Sequence, residues 1–192
     1  MRSNYISQIR SEKINARNSL SGEERKEFSL RIVDKLVNSE IFQKAETVML
    51  YRFVKGEVQL NELENVARMQ GKRLVYPLCI NKTEMIALSP EEKASWKRGA
   101  FGIEEPDPEK SVIVDPLKID LVICPCTAFD CDCNRIGMGG GYYDRFLPKC
   151  KNATVIAVAF EVQKISAILN RAWDIPMKYI ITEDCIYVKS TE

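Results

Sequence analysis

Short apolar runs rich in β-branched residues alternate along this chain with polar stretches whose hydrophobic residues recur every three or four positions. That alternation admits few folds. The runs at 47–51, 73–76, 121–124, 155–160 and 185–188 read as strands, the continuous apolar ones as strands buried on both faces. Ser21 followed by Glu24 is a capping box ahead of Phe28, Ile32 and Leu36, which predicts a helix over 22–38. Leu60, Leu63 and Ala67, with Gly71 just past the end, predict a second helix; Ser89, Pro90 and Glu92 carry the signature of a third helix start. Helices alternating with strands predict an α/β fold, a three-layer α/β/α sandwich around a mainly parallel twisted sheet. Ligands then belong at the carboxyl ends of the strands. Residues 104–116, with three prolines and five acidic residues, read as an irregular connection and not as a domain boundary. A single domain over 1–192 is expected, since this length supports one well-buried core.

Composition narrows the chemistry further. The chain has no histidine, which excludes imidazole as general base or metal ligand and with it histidine triads and zinc hydrolase sites. Phosphoryl transfer survives that exclusion, because it depends on positioning, on fixed cations and on magnesium held by carboxylate oxygens. The 28 Lys and Arg nearly balance the 27 Asp and Glu, so no global basic field favours nucleic acid or membrane, and anion binding must be local. Residues 1–20 lack the apolar core of a signal sequence, and no stretch is apolar for long enough to span a bilayer. Seven cysteines, an odd count, fit reduced thiols in the cytoplasm better than a disulfide framework.

The chemistry concentrates at 135–145, after the predicted strand at 121–124. Gly137, Gly139, Gly140 and Gly141 allow positive φ and close backbone approach, so successive amide N–H groups can converge on phosphate oxygens. A helix starting at Tyr142 would add its dipole, with Arg135 and Arg145 as flanking cations. Asp144 would repel bare phosphate but would suit a divalent cation bound between carboxylate and phosphates. The other reading is a tight turn followed by a first-turn aspartate matched to the dipole. The segment fits neither G-x-x-x-x-G-K-[ST] nor the full spacing of G-x-G-x-x-G. By residue chemistry alone the inference stops at phosphate binding.

At these residues the chain resembles the 5-formyltetrahydrofolate cyclo-ligases, also called 5,10-methenyltetrahydrofolate synthetases. That family shows a strand ending in Pro, then Ala-Phe-Asp or Gly-Phe-Asp, then Asn-Arg-Leu-Gly-x-Gly-x-Gly-Tyr-Tyr-Asp; here Pro125, Ala128, Phe129, Asp130 and residues 134–144 match. Weaker collinear matches run from Ile9, Arg10, Arg17, Leu20 and Ser21 through Glu57, Val58, Gly71, Lys72, residues 99–103, Glu105 and Pro106 to Thr182 and Glu183. The resemblance implies ATP-dependent closure of 5-formyltetrahydrofolate to 5,10-methenyltetrahydrofolate. It assigns ATP to Arg10, Arg135, Ile136, Gly137, Met138, Gly139, Gly140, Gly141, Tyr142 and Tyr143, and Mg²⁺ to Asp144 and Asp174. Arg145 and Tyr142 take catalytic roles. Val54, Glu57 and Gln59 form a substrate strip facing the pterin edge, completed by residues 138–142, with Phe53 and Phe101 available for apolar contact. For Arg10 to reach phosphate, the first helix must fold back over the site. Partners are then small molecules only, and the expected state is a monomer or weak homodimer.

The chain also departs from the family pattern. Ile6 stands where lysine is usual, Gln59 where an acidic residue is frequent, Cys126 and Cys133 where glycine is common, and Lys178 where bacterial relatives often carry aspartate. Cys124, Cys126, Cys131 and Cys133 also form a C-x-C-x₄-C-x-C cluster, open to a metal or redox reading or to simple core packing. An α/β enzyme holding a sugar phosphate or coenzyme in the same glycine loop is a further rival, because fold alone does not set function. A catalytically idle relative that binds ligand without turnover is a third.

Overall fold

The computed structural model describes residues 2–54, 56–91, 96–99, 104–169 and 174–190. Its helices are α1 (Arg2–Ser19), α2 (Gly22–Val37), α3 (Glu40–Lys44), α4 (Asn61–Met69) and α5 (Tyr142–Phe146). In chain order the strands are β1 (Thr47–Met49), β2 (Arg73–Cys79), β3 (Met85–Pro90), β4 (Trp96–Arg98), β5 (Glu104–Pro106), β6 (Ser111–Ile113), β7 (Leu121–Pro125), β8 (Ala128–Phe129), β9 (Arg135–Ile136), β10 (Thr154–Val158), β11 (Tyr179–Ile181) and β12 (Ile186–Val188). Eight of them form one sheet in the order β12-β11-β10-β7-β1-β2-β3-β6. The middle run from β11 to β2 is parallel, and β12, β3 and β6 add antiparallel edges.

Alternation along the strands divides the interior into two cores. Val48, Leu74, Tyr76, Leu121, Ile123, Ile156 and Val158 point to one face and pack against Ile32, Leu36, Phe42 and Leu63 from α2, α3 and α4. Met49, Val75, Val122, Cys124, Ala157 and Ile180 point to the other and meet Phe146, Leu147 and Met177. Successive strand residues face opposite sides, so a central strand covered on both faces must be apolar throughout. Fully burying a side chain such as Leu36 or Ile32 contributes about 1.5–3 kcal/mol, and both are 0% exposed. The sandwich is unequal: among the described residues its second helical layer consists of α5 and the 3₁₀ turn Leu147–Lys149, where Pro148 occupies the first turn.

The helix expected over 22–38 forms as Gly22–Val37 with both halves of the Ser21–Glu24 capping box made. Gly71, at φ 69°, turns the chain after α4 as its position predicted. The helix start expected at Ser89 does not form. Ser89 and Pro90 instead end β3, opposite Val112 and Ser111 of β6, while Glu92 lies outside the described residues. Buried Met85, Ala87 and Leu88 tie β3 into the sheet, and that pairing overrides a local capping signal. The connection at 104–116 is more ordered than expected, containing β5, a 3₁₀ turn at Pro108–Lys110 and the edge strand β6.

Topology places the site. From β1 the chain passes through α4 to β2 on one side; from β7 it passes through α5 to β10 on the other. The neighbours β1 and β7 are therefore where the winding direction reverses, and the crevice outside their carboxyl ends is the expected ligand position.

Candidate active site

Beyond the carboxyl end of β7 the chain forms a two-stranded hairpin, with Ala128 opposite Ile136 and Phe129 opposite Arg135. Asp130 holds its bend. This buried carboxylate accepts from the backbone N–H of Asp132 at 3.1 Å, the N–H and side-chain amide of Asn134 at 3.0 and 2.9 Å, and the N–H of Ile168 at 2.8 Å. With so many donors it needs no cation partner, and it fixes where Arg135 leaves the hairpin.

Gly139 and Gly141 adopt φ of 108° and 66°, conformations that disfavour a side chain, and Gly141 caps α5. Because α5 is one short turn, its dipole is weak, and the loop's own N–H groups must supply most of any attraction for anions. Helix α1 does fold back over this loop: Arg10 Nε donates to Gly137 O at 2.8 Å, and its guanidinium packs 3.3 Å from where a Cβ at Gly139 would stand. Ile9 and Ile6 seat the helix on Ala128, Ile136 and Ile168. Ile6 is thus a packing residue under the hairpin. On the opposite side, Arg145 donates from Nε to Thr83 O at 2.6 Å and from Nη2 to Gly140 O at 2.7 Å, while Tyr142 donates to Asn81 O at 3.0 Å. The turn between β2 and β3 therefore forms one wall of the site. That wall was not foreseen, because backbone carbonyls leave no signature in a sequence.

Arg135 is nearly buried and donates from Nη2 to Asp144 Oδ1 at 2.8 Å, with its guanidinium 5.8 Å from the centre of the Tyr143 ring. Its Nε, like the buried Tyr143 hydroxyl, has no hydrogen-bond partner. The expected pair of fixed cations therefore divides: Arg145 lies exposed beside the loop, and Arg135 is committed to Asp144.

Beyond the carboxyl end of β1, Val54 and Gln59 are half-buried and Glu57 is buried. Glu57 Oε2 accepts from the Val54 N–H at 3.1 Å, and Tyr51 ties the far side of the turn by donating to Val58 O at 2.9 Å. Burial raises the Glu57 carboxyl above its usual range, opposed by the Val54 hydrogen bond and by Arg17, whose Nη1 is 3.7 Å from Oε1. The Gln59 N–H donates to Ser29 Oγ on α2. Phe53 packs against the first core. Phe101 and residues 100–103 lie outside the described residues.

Asp174 is half-buried on the segment leading to β11. Lys178 places its ammonium 5.5 Å from the centre of the Tyr179 ring, lining a recess with Leu147, Cys150 and Thr154 at the amino end of β10. Burial pushes the thiols of Cys124, Cys126 and Cys133 up to about 11, 12 and 11, against the ionisation that zinc or redox chemistry needs. Among the described residues no group of three or more Cys, Asp or Glu is placed to hold a metal by itself. Cys133 adopts φ 61°, a left-handed conformation that glycine meets without strain. Among the described residues no helix is long and apolar enough to cross a membrane.

The model of the 5-formyltetrahydrofolate cyclo-ligase family matches residues 2–183. This chain belongs to that family. Cyclo-ligases of this kind are ATP-dependent ligases, so ATP enters as a co-substrate. The chain is 28% identical over 174 residues to the 5-formyltetrahydrofolate cyclo-ligase of Haemophilus influenzae, covering 88% of this chain and 93% of that one. Among solved structures, the 5,10-methenyltetrahydrofolate synthetase of Aquifex aeolicus superposes with a TM-score of 0.84 at 32% identity, covering 97% of this chain and 96% of its own. The synthetase of Mycoplasma pneumoniae gives 0.77 at 26% identity, covering 93% and 98%. The cyclo-ligase fold thus extends over nearly the whole chain.

Proposed function

We propose that this cyclo-ligase converts 5-formyltetrahydrofolate to 5,10-methenyltetrahydrofolate with Mg²⁺ and ATP, releasing ADP and phosphate. The observation that carries the reading is the Arg10–Gly137 hydrogen bond. It closes α1 over the glycine loop, so that Arg10 holds the loop at Gly137 and Arg145 holds it at Gly140, bringing two cations to the segment read as the phosphate cradle. Triphosphate then lies along residues 135–143, and the pterin edge meets Val54, Glu57 and Gln59. Residues 138–142 lie between the two ligands.

The formyl oxygen attacks the γ-phosphorus and ADP leaves, giving an iminium-like phosphate at N5. The N10 lone pair attacks the formyl carbon, N10 loses its proton, and the carbon–oxygen bond breaks to release phosphate and leave the methenyl bridge. No side-chain nucleophile is required, which fits a chain without histidine. Arg10 and Arg145 stabilise charge on the transferring phosphoryl group, and Tyr142 holds the reacting ring against the loop. Magnesium suits the Asp144 carboxylate, partly exposed beside the loop, with phosphate oxygens to complete the set; by the family resemblance Asp174 would be a second ligand. When bound, the ion neutralises phosphate charge. Arg135 orients Asp144 for that task.

The test is absorbance growth from methenyltetrahydrofolate in purified protein given 5-formyltetrahydrofolate, ATP and Mg²⁺. Growth that vanishes without ATP or with a chelator supports the reading. No growth from folded protein overturns it.

A further inference from the structure

Helix α1 carries an arginine that the reaction above does not use. Arg17 is 2% exposed, and its Nε and Nη1 have no hydrogen-bond acceptor. An arginine rarely gives up its hydration for so little. What it faces is Glu57, itself 8% exposed, with Nη1 3.7 Å from Oε1, within ion-pair range but longer than a hydrogen bond. The contact is enforced by the backbone. Gly56 takes φ 86°, and a Cβ there would stand 2.1 Å from Asn18 Oδ1 and 3.4 Å from Arg17 Nε, so only glycine lets the substrate strip approach α1 this closely.

The geometry points to Arg17 as a positioning residue for the folate substrate, acting through Glu57: it keeps that carboxylate charged and oriented so that it can accept paired N–H groups from the pterin edge. The inference rests on the cyclo-ligase reading for the identity of the substrate. The other groups facing Glu57 are Tyr51 beyond β1, Tyr143 on α5 and Cys126 beyond β7, all three held neutral by burial. Arg17 is thus the one cation among the described groups that face it. Glu57 Oε2 already holds the Val54 N–H, while the longer approach to Oε1 leaves lone pairs there for a ligand. Burial alone would favour the protonated carboxyl, which presents a hydroxyl to a donor edge and loses half of the pairing.

The experiment compares wild type, Arg17→Met and Arg17→Lys, each with thermal melting to confirm folding. The Met variant is expected to raise KM for 5-formyltetrahydrofolate at least tenfold near pH 7, with KM for ATP and kcat within about threefold. Its folate KM should fall as pH rises, since burial unopposed by Arg17 delays the ionisation of Glu57, whereas the wild-type KM should depend less on pH; Arg17→Lys should restore most of the affinity. A second readout needs no turnover: carbon-13 NMR of labelled glutamate in ligand-free protein, with Glu57 assigned through Glu57→Gln. Arg17→Met should move the Glu57 titration to higher pH. An unmoved titration, or a loss spread equally over every kinetic constant at every pH, overturns the role of Arg17. A wild type that makes no methenyl product overturns the cyclo-ligase reading instead, and the NMR titration still decides whether Arg17 controls Glu57.

Discussion

Arg135 and Asp144 meet at 2.8 Å across the glycine loop, the arginine almost fully buried and the aspartate still partly open to solvent. The pair brackets the residues assigned to phosphate: one partner leaves the hairpin and the other sits in the first turn of α5. The buried cation anchors a carboxylate whose remaining oxygen can serve a metal. The arrangement also fixes the span of the loop between them, because a buried arginine that lost its partner would be costly to keep.

Asp144→Asn tests that relationship. The amide oxygen can still accept from Arg135, so the fold should persist with a stability loss below about 3 kcal/mol, the upper end of the range for a hydrogen bond to a charged group. Turnover should fall by about a hundredfold or more, on the scale of removing a group that stabilises transition-state charge, and added Mg²⁺ should not restore it. Activity near wild type would remove Asp144 from the metal site.

Arg145 lies where the loop meets the turn between β2 and β3. Its two donor bonds, to Thr83 O and Gly140 O, require the planar fork, so a lysine supplies the charge without the geometry. Arg145→Ala is expected to lower kcat by about a hundredfold and Arg145→Lys by about tenfold, with melting temperatures near wild type because the side chain is exposed. Equal kcat values for the two variants, or wild-type rates in both, would show that the fork does not serve the transferring phosphoryl group.

The central parallel strands and α2 were legible because local signals and tertiary demands agree there: Leu121, Val122, Ile123 and Cys124 are apolar and covered on both faces. The glycine loop was legible because its chemistry is carried by residue type. Other features were not. Met85–Pro90 pairs with a partner too short to be read as a strand, and its capping-like Ser89 and Pro90 mimic a helix start. The strand Tyr179–Ile181 is three residues long, below the length at which alternation is informative. The division of labour between Arg135 and Arg145 depends on which guanidinium the hairpin buries, which spacing cannot encode. Arg17 was visible only as a collinear match, since nothing in a polar helix announces that one arginine is buried.

Two buried thiols give a pH prediction. Burial raises Cys124 and Cys126 from 9.0 to about 11 and about 12. The unfolded chain therefore releases these protons first: their contribution is complete below about pH 9 and is lost as pH rises through the folded values, about 3 kcal/mol for Cys124 and about 4 kcal/mol for Cys126. Stability measured by urea unfolding should be level from pH 7 to 9 and fall steeply above it. Replacing both cysteines with alanine should make that fall shallower, the remainder coming from Cys133, Cys150, Tyr51 and Tyr143, which burial also raises. A profile that stays level to pH 11, or rapid iodoacetamide labelling of either thiol in native protein at neutral pH, would contradict their burial.

Cys133 sets burial against backbone strain. Its side chain is 0% exposed while its φ is 61°, a conformation costing about 1–2 kcal/mol for a residue with a Cβ. Glycine would relieve that strain but lose a small buried side chain worth a similar amount, so Cys133→Gly should change stability by less than about 1 kcal/mol. Valine keeps the apolar surface but is β-branched and poorly suited to positive φ, so Cys133→Val should lose more than about 2 kcal/mol. Because the Cys133 carbonyl accepts from the Met177 N–H, the strained turn also ties the hairpin to the segment leading into β11, and Cys133→Val should loosen both together. Amide exchange at Met177 and Asn134 reads that coupling. If valine is as stable as glycine and leaves both amides protected, the left-handed backbone at Cys133 is not what shapes the hairpin.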